Sequence, residues 1–209
     1  LATMVRTGIR PPVGNYGDDV QVVNLRDLSH ETAKMFITRK DTQVICGSHA
    51  TRFKTTDIIR KELGYSGDQP AVGERLLCCK NNHDEGYFNG MQGTLIDFKG
   101  TSMTSKDPMK LFTFNVDFDD LDYPQELTSF AALFEASASF DKNAAKNPPF
   151  AWGIDLIDFG YVLTCHKSQG SQWDHVTIID DSEAFMDNKW KWLYTAITRA
   201  SKGLTLLLR

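Results

Sequence analysis

Between Tyr161 and Asp180 the chain reads YVLTCHKSQGSQWDHVTIID, two apolar runs separated by a polar break. The break gathers hydroxyls at Thr164, Ser168 and Ser171, an imidazole at His166, an ammonium at Lys167 and amides at Gln169 and Gln172, around Gly170. Hydroxyls and amides donate to phosphate oxygens, lysine adds charge, and glycine lets the backbone come close. A turn that only reverses the chain would use two residues such as Asn-Gly. Any one surface lysine usually binds nothing, so the cluster carries this reading. His166 has no metal partner at a suitable spacing, and no metal site is expected.

A second group lies near the C-terminus. Trp190, Leu193, Tyr194 and Ile197 recur at helical spacing as an apolar stripe, whereas Thr195 and Arg199, four apart, share another face. Arg199 in the last turn can meet the negative end of the helix dipole, worth about 0.3–1 kcal/mol. Its planar fork can equally grip two phosphate oxygens.

The elements that must position these groups follow from periodicity. Val20–Leu25 and Thr42–Cys46 read as strands, and Phe53–Leu63 as a helix stopped by Gly64. From Gly73 to Phe118 short strands, ERLLCCK, MQGTLIDF and KLFTFNVDF, alternate with Asn/Gly/Asp loops, which predicts a small barrel or twisted meander. A short helix is expected near Ser129–Ala138, and KNPPF at 146–150 should stop it. From Trp152 the α/β pattern resumes: strand Tyr161–Cys165, the polar turn, strand Val176–Asp180, a helix over Asn188–Ala200, and strand Leu204–Leu208. The expected organisation is an α/β domain over 1–70 and 153–209, interrupted by a β insertion over 71–152.

Composition fits this. The 209 residues are 41% hydrophobic and 24% charged, which excludes a disordered chain. No apolar run approaches the roughly 18 residues of a membrane-spanning helix, and no signal segment opens the chain, so a cytoplasmic protein with no membrane partner is expected. Cys46, Cys78, Cys79 and Cys165 lack Cys-x-x-Cys spacing and read as free thiols. The net charge of −4 argues against a surface coated by nucleic acid. Its distribution allows a local site: residues 34–61 hold seven Lys/Arg against two Asp, while 117–126 holds five acids and no base.

LTCHKSQGSQWDHVTII followed by WLYTAITRASKGLTLLL closely resembles motifs V and VI of superfamily-1 DNA helicases of the RecD and Dda type, whose C-terminal half is often labelled UvrD-like. VICGSHATRFKTTDIIRKELG is similar to their motif IV region, and GERLLCCKNNHDEGYFNGMQGTL to the SH3-like barrel inserted in their second motor domain. The resemblance implies a RecA-like parallel-sheet motor domain with a small SH3-like β-barrel insertion. It implies that Thr164, His166, Lys167 and Ser168 line a single-stranded DNA path, and that Gln169, Gly170 and Gln172 sit where that path meets the nucleotide cleft. Gln172 stands where many relatives carry Glu, which turns a charged ribose contact into a neutral one. Arg199 would reach the γ-phosphate of ATP bound on a partner motor domain, with Arg60 a second phosphate contact.

Tyr87 and Phe88 stand in HDEGYFNG, where exposed aromatics could stack on bases or fold back to plug the barrel end. No G-x-x-x-x-G-K-[ST] loop occurs in the chain. The expectation is therefore the C-terminal half of an ATP-dependent DNA helicase, cut before Leu1 or meeting its N-terminal motor domain in trans, with ATP and Mg²⁺ held mainly by that domain. The rival is a non-catalytic, helicase-derived module that binds DNA or protein.

Overall fold

The computed structural model describes residues 1–104, 108–139 and 153–209. The chain divides into two compact units, Leu1–Glu62 with Val162–Arg209, and Leu63–Tyr161. KNPPF at 146–150 and the expected return of the α/β pattern at Trp152 lie outside the described residues.

The first unit contains α1 (Ala2–Arg6), β1 (Gly14–Asn15), β2 (Val20–Asn24), α2 (His30–Thr38), β3 (Thr42–Cys46) and α3 (His49–Glu62). It resumes with β9 (Val162–Thr164), β10 (Trp173–Ile179), α5 (Lys189–Ile197) and β11 (Ala200–Leu208). Its six strands run in the order β1-β2-β11-β10-β3-β9, with every pair from β2 to β9 parallel and β1 joined to β2 as an antiparallel hairpin. Parallel strands covered on both faces need nearly continuous apolar runs. VIC in β3, VTII in β10 and LTLLL in β11 supply them.

One sheet face packs Val22, Ile45, Ile178 and Leu206 against Val5 of α1 and Leu193, Ala196 and Ile197 of α5. The expected stripe on α5 is shifted. Trp192 is buried while Trp190 and Tyr194 are only half-buried, because Phe185 from the 3-10 segment Ser182–Asn188 stacks on the Trp192 ring at 5.4 Å. Side-chain caps start α2 and α3: the Thr32 amide donates to Ser29 Oγ and the Thr51 amide to Ser48 Oγ. Gly64 follows α3 at φ +85°, a conformation that stops a helix at little cost to glycine.

The second unit contains β4 (Arg75–Cys78), β5 (Gln92–Met103), β6 (Lys110–Phe118), β7 (Gln125–Phe130), α4 (Ala132–Ser139) and β8 (Ile157–Phe159). These strands form an antiparallel sheet of five in the order β7-β6-β5-β4-β8. Ile157–Phe159 pairs with Leu76–Cys78 and so belongs to this sheet. The core is aromatic: Phe134 of α4 meets Phe159 edge-on at 4.9 Å and packs with Phe112 and Phe114. At Gly93, in β5, a Cβ would stand 2.6 Å from the Asp117 carbonyl, so only glycine permits this approach to β6.

The expected SH3-like barrel needs correction. Among the described residues the sheet is open, and its edges share a single isolated bridge, Ser129 to Asp155, in which the Asp155 amide donates to the Thr128 carbonyl. Closing a barrel requires a continuous ladder between the edge strands, with tilt and stagger in register. One bridge does not supply it.

Candidate nucleic-acid and phosphate interface

β9 is three residues long and sits at the edge of the parallel sheet, with Thr164 in register opposite Cys46 of β3. The chain leaves the strand's carboxyl end as a compact turn. The Ser168 amide donates to the Thr164 carbonyl (3.1 Å), the Ser171 amide to the Ser168 carbonyl (3.2 Å), and Gly170 takes φ +91°. Carboxyl ends of strands in open α/β sheets are where ligands gather, because backbone donors and side chains project there without closing the sheet.

Within the turn the expected residues divide. His166, Gln169, Gly170 and Gln172 are exposed and Lys167 is half-buried. Thr164 is buried, and Ser168 is fully buried, its hydroxyl donating to the Cys165 carbonyl at 2.8 Å. Ser168 therefore shapes the turn from within. Beneath it, burial pushes the Cys165 thiol up to about 11, with the Arg199 guanidinium acting in the opposite direction.

Arg199 ties the last helix to this turn. Its Nε donates to the Thr195 carbonyl (3.2 Å), one terminal nitrogen to the Ser171 carbonyl (3.1 Å) and the other to Thr198 Oγ1 (3.2 Å). The bond to Thr195 is the helix-capping contact. Three of the five N–H groups of the fork are used, and two remain for a ligand. Thr195 turns its own hydroxyl back to the Lys191 carbonyl.

Arg60 is buried in the last part of α3, eleven residues beyond His49, or about 16 Å along the helix axis at 1.5 Å per residue. The start of α3 stands at the carboxyl end of β3, next to β9. Ser48 and Thr51 follow β3 directly, beside Thr164 in the sheet register, and an Arg209 terminal nitrogen donates to Thr51 Oγ1 at 3.1 Å. The sequence signal was the strand-Gly-Ser-helix junction in VICGSHAT, read only as part of the motif IV resemblance.

A rim forms from the segment after β10. Asp181 accepts the Ser48 amide at 3.0 Å, and Phe185 lies between Trp192 and His166, 6.1 Å from the latter. Gly47 is required here, because a Cβ would stand 2.6 Å from the Phe185 ring.

In the second unit the two loop aromatics part company. Tyr87 is buried, stacked on Phe118 at 5.6 Å, with its hydroxyl donating to Asp155 and accepting from Asn82. Burial and the Asp155 carboxylate push that phenol well above its usual range. Phe88 stays 43% exposed beside the edge of His83.

Residues 159–207 match the model of the UvrD-like helicase C-terminal domain, a span that runs from β8 through the turn and α5 into β11. Over this span of about a quarter of its length the chain is similar to that domain. No curated protein matches the chain. Among solved structures, similarity extends to two coordinating Pif1 helicases at forked double-stranded DNA, with 15% identity and TM-score 0.49 over 86% of this chain and 43% of that one. Pif1 from Bacteroides in complex with ADP-AlF3 and single-stranded DNA is 14% identical, with TM-score 0.48 over 85% and 45%. Pif1 from Candida albicans is 16% identical, with TM-score 0.45 over 87% and 50%. The chain thus spans about half the length of each of these chains. Within the UvrD-like segment, the polar turn and Arg199 are the parts with ligand-binding chemistry, and no helix among the described residues is long and apolar enough to cross a membrane.

Proposed function

We propose that the chain is the RecA-like second motor domain of an ATP-dependent helicase or translocase acting on single-stranded DNA, its antiparallel unit being an insertion in that domain. The observation that carries this reading is the bond from Arg199 to the Ser171 carbonyl. It joins a phosphate-seeking guanidinium to a turn whose outer side offers His166, Lys167 and Gln169, so movement of one is transmitted to the other. That linkage is what a motor needs between its nucleotide and its track.

In this reading His166 and Lys167 meet the DNA backbone, while the buried Thr164 and the Ser48–Thr51 pair, whose hydroxyls bond to each other at 3.1 Å, line the same sheet edge beneath them. Gln169, Gly170 and Gln172 face the nucleotide side, and the two uncommitted N–H groups of Arg199 meet the γ-phosphate. ATP and Mg²⁺ would be held mainly by an N-terminal motor domain, since no phosphate-binding G-x-x-x-x-G-K-[ST] loop occurs in these 209 residues. Phe88 could stack on a base, and Ser168 and Tyr87 act as internal supports. One observation favours a non-catalytic binding module instead: Arg199 already spends three N–H groups on its own chain.

Fluorescence anisotropy with labelled oligonucleotides at two salt concentrations tests the DNA-binding part. Half a binding groove should bind weakly, with steep salt dependence and no sequence preference. Tight binding that survives high salt, or a clear preference for one sequence, would count against it.

A further inference from the structure

At the opposite, amino-terminal end of the parallel sheet lies a cavity of about 330 Å³, formed entirely within the first unit. The side-chain chemistry of its floor is unusual for this position. Central parallel strands covered on both faces are ordinarily apolar, yet Gln21, Thr205 and Thr177 stand in one row across β2, β11 and β10, in register. All three line the cavity, on the sheet face turned away from α5.

Their hydrogen bonds leave acceptor capacity unused on the floor. Gln21 Nε2 donates to Thr205 Oγ1 at 3.1 Å, Thr177 donates to the Phe36 carbonyl at 3.0 Å, and the Thr42 hydroxyl lies 3.3 Å from that of Thr177. With its NH₂ engaged, Gln21 keeps its carbonyl oxygen as an acceptor. Gly203 closes the floor, where a Cβ would come 2.1 Å from His175 Nδ1.

The mouth is anionic. Asp18 and Asp19 line it and are exposed, and neither makes an ion pair among the described residues. Arg39 also lines it, but its guanidinium is held by Asp41 through contacts of 2.6 and 2.9 Å. Two lining carboxylates thus stand beside one lining guanidinium that Asp41, outside the lining, already neutralises, so the mouth repels phosphate and attracts a cation. Phe36 also lines the wall, where its carbonyl accepts from Thr177.

We propose that this cavity binds an organic cation of the alkylammonium or guanidinium class, its charge held by Asp18 and Asp19 and its N–H groups directed at the carbonyl oxygen of Gln21 and the hydroxyl of Thr205. The volume lies at the lower end of small-ligand sites, which suits a linear amine or a single basic side chain. The site is independent of the DNA reading and lies away from the surfaces assigned to it.

The test is titration of the chain with spermidine at constant ionic strength, followed by amide NMR shifts, with Mg²⁺ and the peptide Gly-Arg-Gly as parallel arms. The expected result is saturable shifts at Gly17, His175 and Gly203 that Mg²⁺ does not reproduce and that weaken at least about tenfold in the Asp18→Asn/Asp19→Asn double variant. Both residues are exposed, so the variant keeps its fold, which the unchanged remainder of the spectrum verifies. Tighter binding of Gly-Arg-Gly with the same sensitivity to the variant would assign the cation to a protein side chain. Non-saturating shifts, equal shifts with Mg²⁺, or undiminished binding by the double variant would overturn the proposal.

Discussion

The two ends of one parallel sheet differ in sign. At the carboxyl ends of β3 and β9 the chain presents Ser48, His166, Lys167 and the pinned fork of Arg199, whereas at the amino ends it presents Asp18, Asp19 and the Arg39–Asp41 pair. Both ends belong to one sheet, and the difference in charge comes from the residues that flank the strands. A net charge of −4 therefore says little about either edge. What matters for a phosphate ligand is the few ångströms around it, since exposed charges further than about 8–10 Å are screened at ordinary salt.

The largest expected effect is on turnover in the protein that unites this domain with an N-terminal motor domain. Arg199→Ala should lower DNA-stimulated ATP hydrolysis by about 10³–10⁵, the range for arginines that meet a transferring phosphoryl group. Arg199→Lys should recover little of it, because an ammonium lacks the planar fork. Near-normal hydrolysis with a lowered melting temperature would instead make Arg199 a helix cap. The capping bond to the Thr195 carbonyl predicts some loss of stability in either case, so rate and melting must be read together.

A smaller effect should touch both ends at once. Leu193 is fully buried in the core beneath the sheet, and Leu193→Ala should cost about 2–5 kcal/mol of stability by chemical denaturation. The Asp18→Asn/Asp19→Asn change, by contrast, should leave stability within about 0.5 kcal/mol, as expected of exposed positions. If the exposed pair proved as costly as Leu193, the picture of two loops independent of a common core would fail.

The smallest effect is chemical. Burial pushes the Cys165 thiol up to about 11, so at pH 8 it is almost wholly protonated and unreactive. Cys46 is pushed higher still by burial and by Asp181. Iodoacetamide at pH 8 should label Cys79, the half-exposed cysteine, well ahead of Cys46, Cys78 and Cys165. Fast labelling of Cys165 in the folded protein would show that the turn above it opens readily.

Much of this was readable from the chain. Thr42–Cys46 is a strand with the expected bounds, and the pattern around Leu193 and Ile197 fixed the last helix, because a buried face leaves a periodic trace. The helix His30–Thr38 went unread although Met35, Phe36 and Ile37 mark it, and it buries no residue fully. The stripe on α5 kept Leu193 and Ile197 but missed Trp192, which Phe185, distant in pattern though near in sequence, covers. Site residues were legible by type but not by direction. Ser168 looks like a surface donor in the sequence and Tyr87 could equally stack on a base or fold back, yet each bonds inward, to Cys165 and Asp155. Whether a hydroxyl faces ligand or core depends on partners that local spacing does not encode.

The central claim is that the turn after β9 holds a DNA backbone, and the salt dependence of single-stranded DNA affinity tests it most directly. Each phosphate neutralised contributes about 0.7 to the slope of log affinity against log salt for single strands. Lys167→Ala, measured by anisotropy across a salt series, should weaken binding and reduce that slope by about 0.7, with no change in sequence preference. An unchanged affinity and slope would contradict the account and remove the turn from the DNA path.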